Sequence, residues 1–303
     1  MLLTLCLTLV PAPGPAQVPG LPAIIAEWRE ASTTAHPAFL SLTPTGNLLV
    51  VRNGYLGPGV VELDRQGRKV WEYPSVQAVF AVRLANGNTL IGESGAPGPP
   101  FVPRVLEVTP AGKVVWQYRT ASRAQAPQFA QRLESGHTLI TLPDRVREVN
   151  AEGRTVWESP VRFWRAQQAT RLANGHTLVV ERGVGGGGRV VELDRHGRVF
   201  WQYPADPPGA GLRDPVAAVR EGEITKIFDL GAGRMLAVGP SSEVLESRSW
   251  EGIKLLRPVA NQWWAAVGPA GTFFLSVTYT SGRSAILEIE APQEETGGTE
   301  GQG

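Results

Sequence analysis

The sequence predicts an all-β fold: a six-bladed β-propeller of four-stranded blades, with the last blade closed by the N-terminal strand. Three observations predict it. Gly and Pro number 35 and 25 among 303 residues, whereas the two together usually make up about 12% of a protein, so many turns are indicated. A pattern of two hairpins recurs every 39 to 49 residues, a period typical of propeller blades. Finally, residues 24–29 match the one strand that the last repeat lacks.

The first hairpin of each clear repeat places two apolar strands around a turn that contains Gly. The four copies are LTPTGNLLVV (42–51), RLANGNTLIG (83–92), RLESGHTLIT (132–141) and RLANGHTLVV (171–180). Two of these turns contain Asn-Gly, the dipeptide that supplies the positive φ of tight hairpin turns. These segments predict the first and second strands of four blades.

The second hairpin has a polar turn ending in Gly, followed by a strand that contains Trp. Its four copies occupy residues 60–74, 105–118, 146–159 and 190–204. The Gly of each turn suits the left-handed position of a bulged hairpin. These segments predict the third and fourth strands of the same four blades.

Two further copies are degenerate. The fifth is predicted over 230–239 and 244–258, with Leu256 at the Trp position, and the sixth over 261–277 and 281–290, where the pattern stops one strand short. The segment IIAEWR (24–29) matches the missing fourth strand, so we expect it to complete the last blade. Closing the ring in this way removes the free sheet edges that promote aggregation. The propeller is predicted to span 22–290.

The two ends of the chain have a different composition. Residues 1–16 combine a short apolar run with Pro and small residues and are predicted to be a signal peptide. The run is about nine residues, whereas a membrane helix needs about 20, so no membrane insertion is expected. Residues 17–21 are predicted to be a linker, and the acidic segment 291–303 a disordered tail. Export to the exterior, the periplasm or the cell envelope follows as an expectation.

The charge and the cysteine content of the sequence exclude several kinds of partner and reaction. The net charge is +1 and the pI is about 7.9, so the sequence lacks the basic character of nucleic-acid binding proteins. Cys6 is the only cysteine and lies in the predicted leader, which excludes disulfides and thiolate chemistry from the mature protein. We expect no nucleic-acid partner, no metal and no cofactor.

The sequence motif VELDxxGxxxW, followed by RLxNGNTL, resembles the PQQ-like propeller repeats of quinoproteins. More specifically, it resembles the repeats grouped near the bacterial arylsulfotransferases, and the resemblance covers nearly the whole mature chain. The resemblance implies that one Trp per blade packs between neighbouring blades. Five Trp residues are the implied counterparts: Trp28, Trp71, Trp116, Trp157 and Trp201.

The sequence lacks most of the catalytic residues that these families are expected to use. Quinone enzymes of this type have vicinal cysteines and calcium ligands, which the mature chain cannot supply. Arylsulfotransferases are expected to use a histidine nucleophile, but three of the four His residues here occupy hairpin turns, namely His137, His176 and His196. His36 lies in a connection and is the one weak catalytic candidate.

A ligand is expected on the face where the connections between blades meet, called here the top face, because functional residues concentrate on loops held by a rigid scaffold. The longest connection, 203–223, is expected to cap the channel mouth, with room for a helical turn. The candidate ligand-binding residues at strand ends and entries on this face are Arg52, Gln77, Glu93, Trp164, Arg165, Glu181, Asn261, Trp263 and Trp264.

These observations lead to a functional hypothesis with an alternative. The first hypothesis is that the protein is an exported, monomeric, non-catalytic propeller that binds a protein, peptide or glycan through its top face. The alternative is an arylsulfotransferase-like or hydrolytic enzyme with a site around His36, Arg165 and Glu181 at the channel mouth. A purely structural role in the envelope is also left open.

Overall fold

A computed structural model describes residues 23–28, 36–54, 57–95, 102–183, 187–205, 211–249, 260–267, 273–279 and 284–289. The predicted signal peptide, linker and acidic tail lie outside these ranges. The described chain consists of strands and turns, with a three-residue 3₁₀ turn at Arg123–Gln125. No helix in these ranges has the length and apolar character needed to cross a membrane.

The strands are grouped by sheet as follows. Blade 1 contains β2 (His36–Leu42), β3 (Leu48–Asn53), β4 (Gly59–Leu63) and β5 (Lys69–Pro74). Blade 2 contains β6 (Ala78–Arg83), β7 (Thr89–Glu93), β8 (Arg104–Val108) and β9 (Val114–Arg119). Blade 3 contains β10 (Phe129–Arg132), β11 (Thr138–Leu142), β12 (Arg145–Val149) and β13 (Thr155–Glu158). Blade 4 contains β14 (Ala166–Arg171), β15 (Thr177–Glu181), β16 (Arg189–Leu193) and β17 (Val199–Tyr203). Blade 5 contains β18 (Pro215–Glu221), β19 (Ile224–Asp229), β20 (Arg234–Val238) and β21 (Val244–Ser249).

The remaining sheet joins the two ends of the chain. It contains β22 (Ala260–Val267), β23 (Phe273–Tyr279), β24 (Ser284–Ile289) and the N-terminal strand β1 (Ala23–Trp28). Strand β1 pairs antiparallel with β24, so that Ala23 lies opposite Glu288 and Trp28 opposite Ser284. Strand β1 therefore completes the last sheet, as the match between residues 24–29 and the fourth-strand motif predicts.

The prediction of an all-β propeller built from four-stranded blades is confirmed. The first strands of successive sheets contact each other in the order β2, β6, β10, β14, β18 and β22, and β22 contacts β2 again. The ring is closed because the strand that completes the last sheet comes from the start of the chain. Turns follow the sequence as expected: Gly87, for example, has φ +84°, a conformation that Gly adopts without a steric penalty.

The core lies between neighbouring sheets and along the inner strands. Phe39, Phe80 and Phe129 belong to the first strands of blades 1, 2 and 3, and their ring centres lie 5.7 to 6.4 Å apart. A Cβ at Gly92 would lie 2.1 Å from the Phe80 ring, so this glycine is required for the ring to pack there. Aromatic side chains therefore fill this part of the propeller interior.

Blade 5 differs from the prediction. The predicted first hairpin at 230–239 contains β20, which is the third strand of the blade, and the first hairpin is instead β18 and β19. Two strands were missed because the turn between them is a tight turn at Gly222, with φ +59°, and lacks the repeated Leu-x-Asn-Gly text. In the fourth strand β21, Glu246 takes the position that Trp201 has in blade 4, and Leu256 lies outside the described residues.

The same error affects the predicted connection at 203–223. Its second half, Pro215–Glu221, is strand β18, and Leu212 forms an isolated bridge with Gly188. No helical turn occurs in its described residues. The prediction of one long loop over 203–223 was wrong in its second half, because the continuous apolar run from Pro215 to Val219 pairs as an inner strand. Residues 206–210 of the predicted loop lie outside the described residues.

Candidate functional site

A repeated polar contact joins neighbouring blades on the face opposite the top face. At the end of the first strand of blades 2 to 5 an Arg side chain reaches back to the Glu on the third strand of the preceding blade. The measured pairs are Arg83–Glu62 at 2.5 Å, Arg132–Glu107 at 2.5 Å and Arg171–Glu148 at 2.6 Å, with Arg220–Glu192 completing the set. These ion pairs cross each junction from blade 1 to blade 5.

The indole of the fourth strand covers each of these guanidinium groups. The distances from the guanidinium carbon to the indole centre are 4.6 Å for Arg83 over Trp71, 4.8 Å for Arg132 over Trp116, 5.1 Å for Arg171 over Trp157 and 5.4 Å for Arg220 over Trp201. A cation within about 6 Å of an aromatic centre is attracted to the ring face. The Trp residues thus contact the next blade through its Arg.

Two of the indoles also donate a hydrogen bond to the next blade. Trp71 Nε1 donates to the Pro110 carbonyl and Trp116 Nε1 to the Ala151 carbonyl, each at 2.8 Å. Both acceptors lie in the turn between the third and fourth strands. Trp28 is placed through its backbone in β1, and its side chain lies outside the described residues.

The histidines at the hairpin turns complete the same contacts. His137 Nδ1 lies 2.7 Å from Glu148 Oε1, and His176 Nδ1 lies 2.8 Å from Glu192 Oε1. In blades 1 and 2 an Asn takes this position, with Asn47 donating to Glu62 at 2.8 Å. These His side chains therefore hold the Glu that binds the neighbouring blade, and their role is structural.

The Arg and Glu members of this contact were not predicted from the sequence. Both are repeated letters: the Arg that opens RLANG or RLESG recurs in blades 2 to 4, and the third-strand Glu recurs in blades 1 to 4. A charged residue that recurs at the same place in every repeat, opposite in sign to another that also recurs, indicates an ion pair between repeats.

The charged residues predicted on the top face are placed at strand ends as expected, but most are bound within their own blade. Arg52 pairs with Glu72 at 3.2 Å and Glu93 with Arg104 at 2.5 Å. Gln77 Nε2 donates to the Gly54 carbonyl at 2.7 Å. The structure therefore does not bring Arg52 and Glu93 together into a shared site.

Glu181 organises the part of the top face that leads from blade 3 into blade 4. Its side chain is 5% exposed, pairs with Arg189 at 2.6 Å and accepts a hydrogen bond from the backbone N–H of Trp164. The neighbouring Arg165 has φ +69°, and its carbonyl accepts from Arg182 N at 3.1 Å. The backbone of this connection is therefore fixed by hydrogen bonds at both Trp164 and Arg165.

The connection fixed by Glu181 exposes two side chains to solvent, those of Trp164 and Arg165. Trp164 is 66% exposed, and Arg165 is exposed with no side-chain partner among the described residues. A residue other than Gly at positive φ is strained, and such strain is found where the surrounding structure fixes a functional position. Trp164 and Arg165 are the predicted ligand-binding residues that the structure brings together.

A second buried carboxylate fixes the next connection in the same way. Asp229 is fully buried and accepts hydrogen bonds from the backbone N–H groups of Arg213 and Asp214 at 2.8 to 3.1 Å. The Asp214 carboxylate forms two bonds with Arg182, at 2.5 and 2.6 Å. Because Arg182 also binds the Arg165 carbonyl, the two connections are linked.

A cluster of charged side chains lies on blade 3, beside the connection that contains Trp164 and Arg165. Arg145 binds Asp144 and Glu158, each at 2.7 Å, and Arg147 binds Glu158 at 2.6 Å. Burial raises the pKa of Glu158, but its bonds to Arg147 and Arg145 outweigh burial and hold the pKa below its usual value. Hydrogen bonding to Arg145 likewise lowers the pKa of Asp144 against the opposing effect of burial. These carboxylates remain ionised at neutral pH.

The other predicted site residues are placed only through their backbones. His36 begins β2, opposite Asn53, and Asn261, Trp263 and Trp264 lie in β22. Their side chains lie outside the described residues. In the part of the chain that the structure describes, no group of three His, Cys, Asp or Glu side chains could hold a metal ion.

A family of known proteins matches part of the chain. Residues 103–249, just under half of the sequence, match the family model described as outer membrane protein assembly factor BamB, a PQQ-type repeat model. This supports a PQQ-like propeller. No protein of curated function matches the sequence significantly.

Solved structures resemble the chain over most of its length. A streptogramin B lyase gives a TM-score of 0.58 with 13% identity, covering 88% of this chain and 87% of the lyase. A virginiamycin B lyase from Staphylococcus aureus, solved with quinupristin, gives 0.57 with 12% identity over 89% of both chains. A protein of unknown function from Bacteroides caccae gives 0.54 with 19% identity over 70% of this chain and 81% of that one. At these identities the likeness establishes the propeller fold.

Proposed function

We propose that this protein is an exported, non-catalytic propeller of the cell envelope that binds a protein partner through the Trp164–Arg165 connection of its top face. The observation that carries the proposal is an exposed indole beside an unpartnered guanidinium, on a connection fixed by the buried Glu181. Trp and Arg dominate the energetics of protein interfaces. A rigid backbone also reduces the entropy lost on binding.

The charge around this connection favours a partner with acidic groups. Arg165 and Arg213 are both exposed on connections that Arg182 links. The carboxylates nearby, Glu181 and Asp214, are already bound by arginines. The free charge presented to a ligand is therefore positive.

The enzyme alternative has less support. It requires Glu181 as a free acid or base, but this carboxylate is bound to Arg189 and to the Trp164 N–H. An acid–base residue must be able to reach the substrate. We therefore favour binding over arylsulfotransferase-like or hydrolytic chemistry.

The location in the envelope is part of the proposal. It rests on the leader-like composition of residues 1–16 and on the partial match to the family described as an outer membrane protein assembly factor. It predicts that the mature protein begins near Gln17. Mass spectrometry of the protein recovered from the envelope and the cytoplasm of the producing cell checks this prediction, and an uncleaved chain confined to the cytoplasm would contradict it.

Site-specific cross-linking tests the binding function. A photoreactive amino acid is placed at position 164 and, as a matched control, at Val115, an outward residue of β9 that is 50% exposed. We expect a discrete cross-linked product in producing cells from position 164 and none from the control. Adding Arg165→Glu should reduce that product about tenfold, because it reverses the presented charge. Equal products from both positions, or a product insensitive to Arg165→Glu, would exclude this connection as the binding site.

A further inference from the structure

The junction between blades 4 and 5 contains an open groove of about 530 Å³ on the outer side of the propeller. It lies on a different surface from the Trp164–Arg165 connection. Its walls come from the fourth strand of blade 4 and the last turn of blade 5, and they are Val199, Phe200, Trp201, Gln202, Ala205, Pro240, Ser241 and Ser242. None of these side chains carries a charge.

The groove coincides with a missing hydrogen bond. At the junctions after blades 1 and 2 the indole N–H binds the carbonyl of Pro110 or Ala151. Pro240 occupies the same turn position in blade 5, because Gly239 N bonds Glu243 O as Thr109 N bonds Lys113 O in blade 2. Trp201 Nε1 is nevertheless without an acceptor, although the side chain is only 8% exposed.

A second buried donor at this junction also lacks an acceptor. Arg220 Nε is unpaired, and its guanidinium lies under the Trp201 ring at 5.4 Å. Buried donors are almost always hydrogen bonded in folded proteins. Of these two donors, Trp201 Nε1 belongs to a wall residue of the groove and Arg220 Nε does not. The unpaired Trp201 Nε1 therefore points to an acceptor that a ligand in the groove supplies.

The outer edge of the groove is suited to an extended chain. Phe200 is 66% exposed and Val199 is 47% exposed, so the edge strand presents two apolar side chains. The fourth strands of blades 2 and 5 expose the smaller pairs Val114–Val115 and Val244–Leu245 in the same way. Strand β17 is the last strand of its sheet, and its Gln202 carbonyl already accepts a hydrogen bond from Ser242 Oγ at 2.7 Å. The edge therefore accepts hydrogen bonds from outside the blade, as in recognition by strand addition.

We propose that this groove binds an extended, uncharged peptide segment of a partner protein, with an apolar side chain packed on Phe200 and a main-chain carbonyl as acceptor for Trp201 Nε1. A peptide supplies the carbonyl acceptor that Trp201 Nε1 lacks and an apolar side chain to cover the exposed Phe200. The acidic tail of this chain, residues 291–303, is a poor occupant because the groove offers it no positive charge.

The experiment follows the indole N–H of Trp201 directly. The full chain is labelled with ¹⁵N at its 9 Trp residues, and a blocked, uncharged hexapeptide alternating threonine with valine and phenylalanine is titrated in. Trp201→Phe identifies the Trp201 signal. We expect that signal to shift and saturate, while the signal of Trp116, already bonded to Ala151, stays in place.

Matched variants test which surface binds the peptide. Phe200→Ser should weaken binding about tenfold, whereas Val115→Ser, at the equivalent position of blade 2, should leave it unchanged. Trp201→Phe should weaken binding about fivefold, because it keeps the ring and removes the donor. An unmoved Trp201 signal, or equal affinity for Phe200→Ser, would overturn the proposal. A dimer that forms with rising concentration and is lost in Phe200→Ser would also overturn it, because a second copy would then be the occupant.

Discussion

The four junctions from blade 1 to blade 5 and the junction that follows blade 5 use equivalent strands but different contacts. In blades 1 to 4 a Glu lies opposite a Trp on the neighbouring strand, as Glu192 lies opposite Trp201. In blade 5 the corresponding pair is Ala237 opposite Glu246. Blade 5 therefore offers the next blade neither the third-strand carboxylate nor the indole, and at the junction before it the Trp201 N–H lacks an acceptor.

The junction where the ring closes gives a third arrangement. Leu42 occupies the position that Arg83 has in blade 2, so the first strand of blade 1 supplies no guanidinium. Arg65, in a turn of the same blade, binds Glu288 instead and lies 4.7 Å over the Phe274 ring. A cation placed over an aromatic ring and bound to a third-strand Glu is thus kept, although the Arg comes from a turn and not from the first strand.

The blades of this propeller are joined by a repeated contact whose parts can be exchanged. The carboxylate stays on the third strand, whereas the cation and the ring can come from other strands or turns. Where the carboxylate itself is lost, as in blade 5, the repeated sequence motif is lost as well.

Removing the strand that closes the ring should have the largest effect. Deleting residues 1–28 removes β1 and exposes the edge of β24, which then pairs with other chains. We expect aggregates in size-exclusion chromatography with light scattering. Deleting only residues 1–22 keeps β1 and should leave a monomer. A monomer with an unchanged melting temperature from the longer deletion would show that β1 contributes little to closure.

Glu192→Leu should be the most damaging single substitution. Glu192 is fully buried and binds both His176 and Arg220, so its loss leaves a buried cation without a partner. Breaking a buried ion pair in this way costs about 3–5 kcal/mol, measured by urea unfolding. Glu152→Leu is the matched control, because Glu152 and Arg154 are 63% and 77% exposed and such pairs contribute at most about 1 kcal/mol.

The outcome for Glu192 also tests the comparison itself. If the free energy of unfolding falls by no more than in the control variant, the ion pairs between blades are not what holds them. The difference between blade 5 and the other blades would then be one of sequence drift alone.

The same difference explains how far the sequence could predict the structure. Glycine turns and evenly spaced Trp residues predicted four blades and the closing strand, because hairpin turns and strand alternation are local properties. Blade 5 lacks the Leu-x-Asn-Gly motif and the Trp, and its first hairpin was missed. Its strands pair with one another in a sheet of their own, but the sequence signals of that sheet are a tight turn at Gly222 and an apolar run without the repeated motif.

The candidate site could be predicted only in part. The position of a residue at a strand end follows from the repeat, and Arg52, Glu93 and Glu181 lie where the repeat places them. Whether such a side chain is free depends on the nearest opposite charge across the sheet, such as Glu72 for Arg52. The repeat does not encode that partner, so a shared cluster was predicted where the structure has separate ion pairs.

A smaller effect is expected at acid pH from the charge cluster of blade 3. The pKa of Glu158 is lowered from the usual 4.5 in the folded protein, and that of Asp144 is lowered from 3.8. Groups with a depressed folded pKa stabilise the protein above their unfolded pKa, and this stability is lost as the pH falls. Arg145→Gln should therefore lower stability at pH 7 by about 1 kcal/mol and flatten its decline below about pH 5.

Urea unfolding at several pH values measures this effect. Arg154→Gln, which removes an exposed arginine of the same blade, should leave the pH profile unchanged. An unchanged profile for Arg145→Gln would mean that Arg147 alone accounts for the lowered pKa of Glu158.

The smallest effect is expected at Ser242, where blade 5 departs from the other turns. Ser242 has φ +63°, whereas the equivalent Gly67, Gly112, Gly153 and Gly197 have φ +76° to +81°. Ser242→Gly should relieve about 1 kcal/mol of backbone strain and lose the hydrogen bond to Gln202, worth about 1 kcal/mol. The two changes nearly cancel. Ser242→Ala keeps the strain and loses the bond, so it should destabilise the protein by about 1 kcal/mol.

The reverse exchange shows whether the bond or the strain governs this turn. Gly153→Ala introduces a side chain at φ +76° and should cost about 1 kcal/mol, because alanine has no hydroxyl to form a bond equivalent to Ser242–Gln202. If Ser242→Gly instead stabilises the protein by the full value that Gly153→Ala costs, the hydrogen bond contributes nothing. The turn of blade 5 would then be only strained, and the serine would not be what holds it against the edge of blade 4.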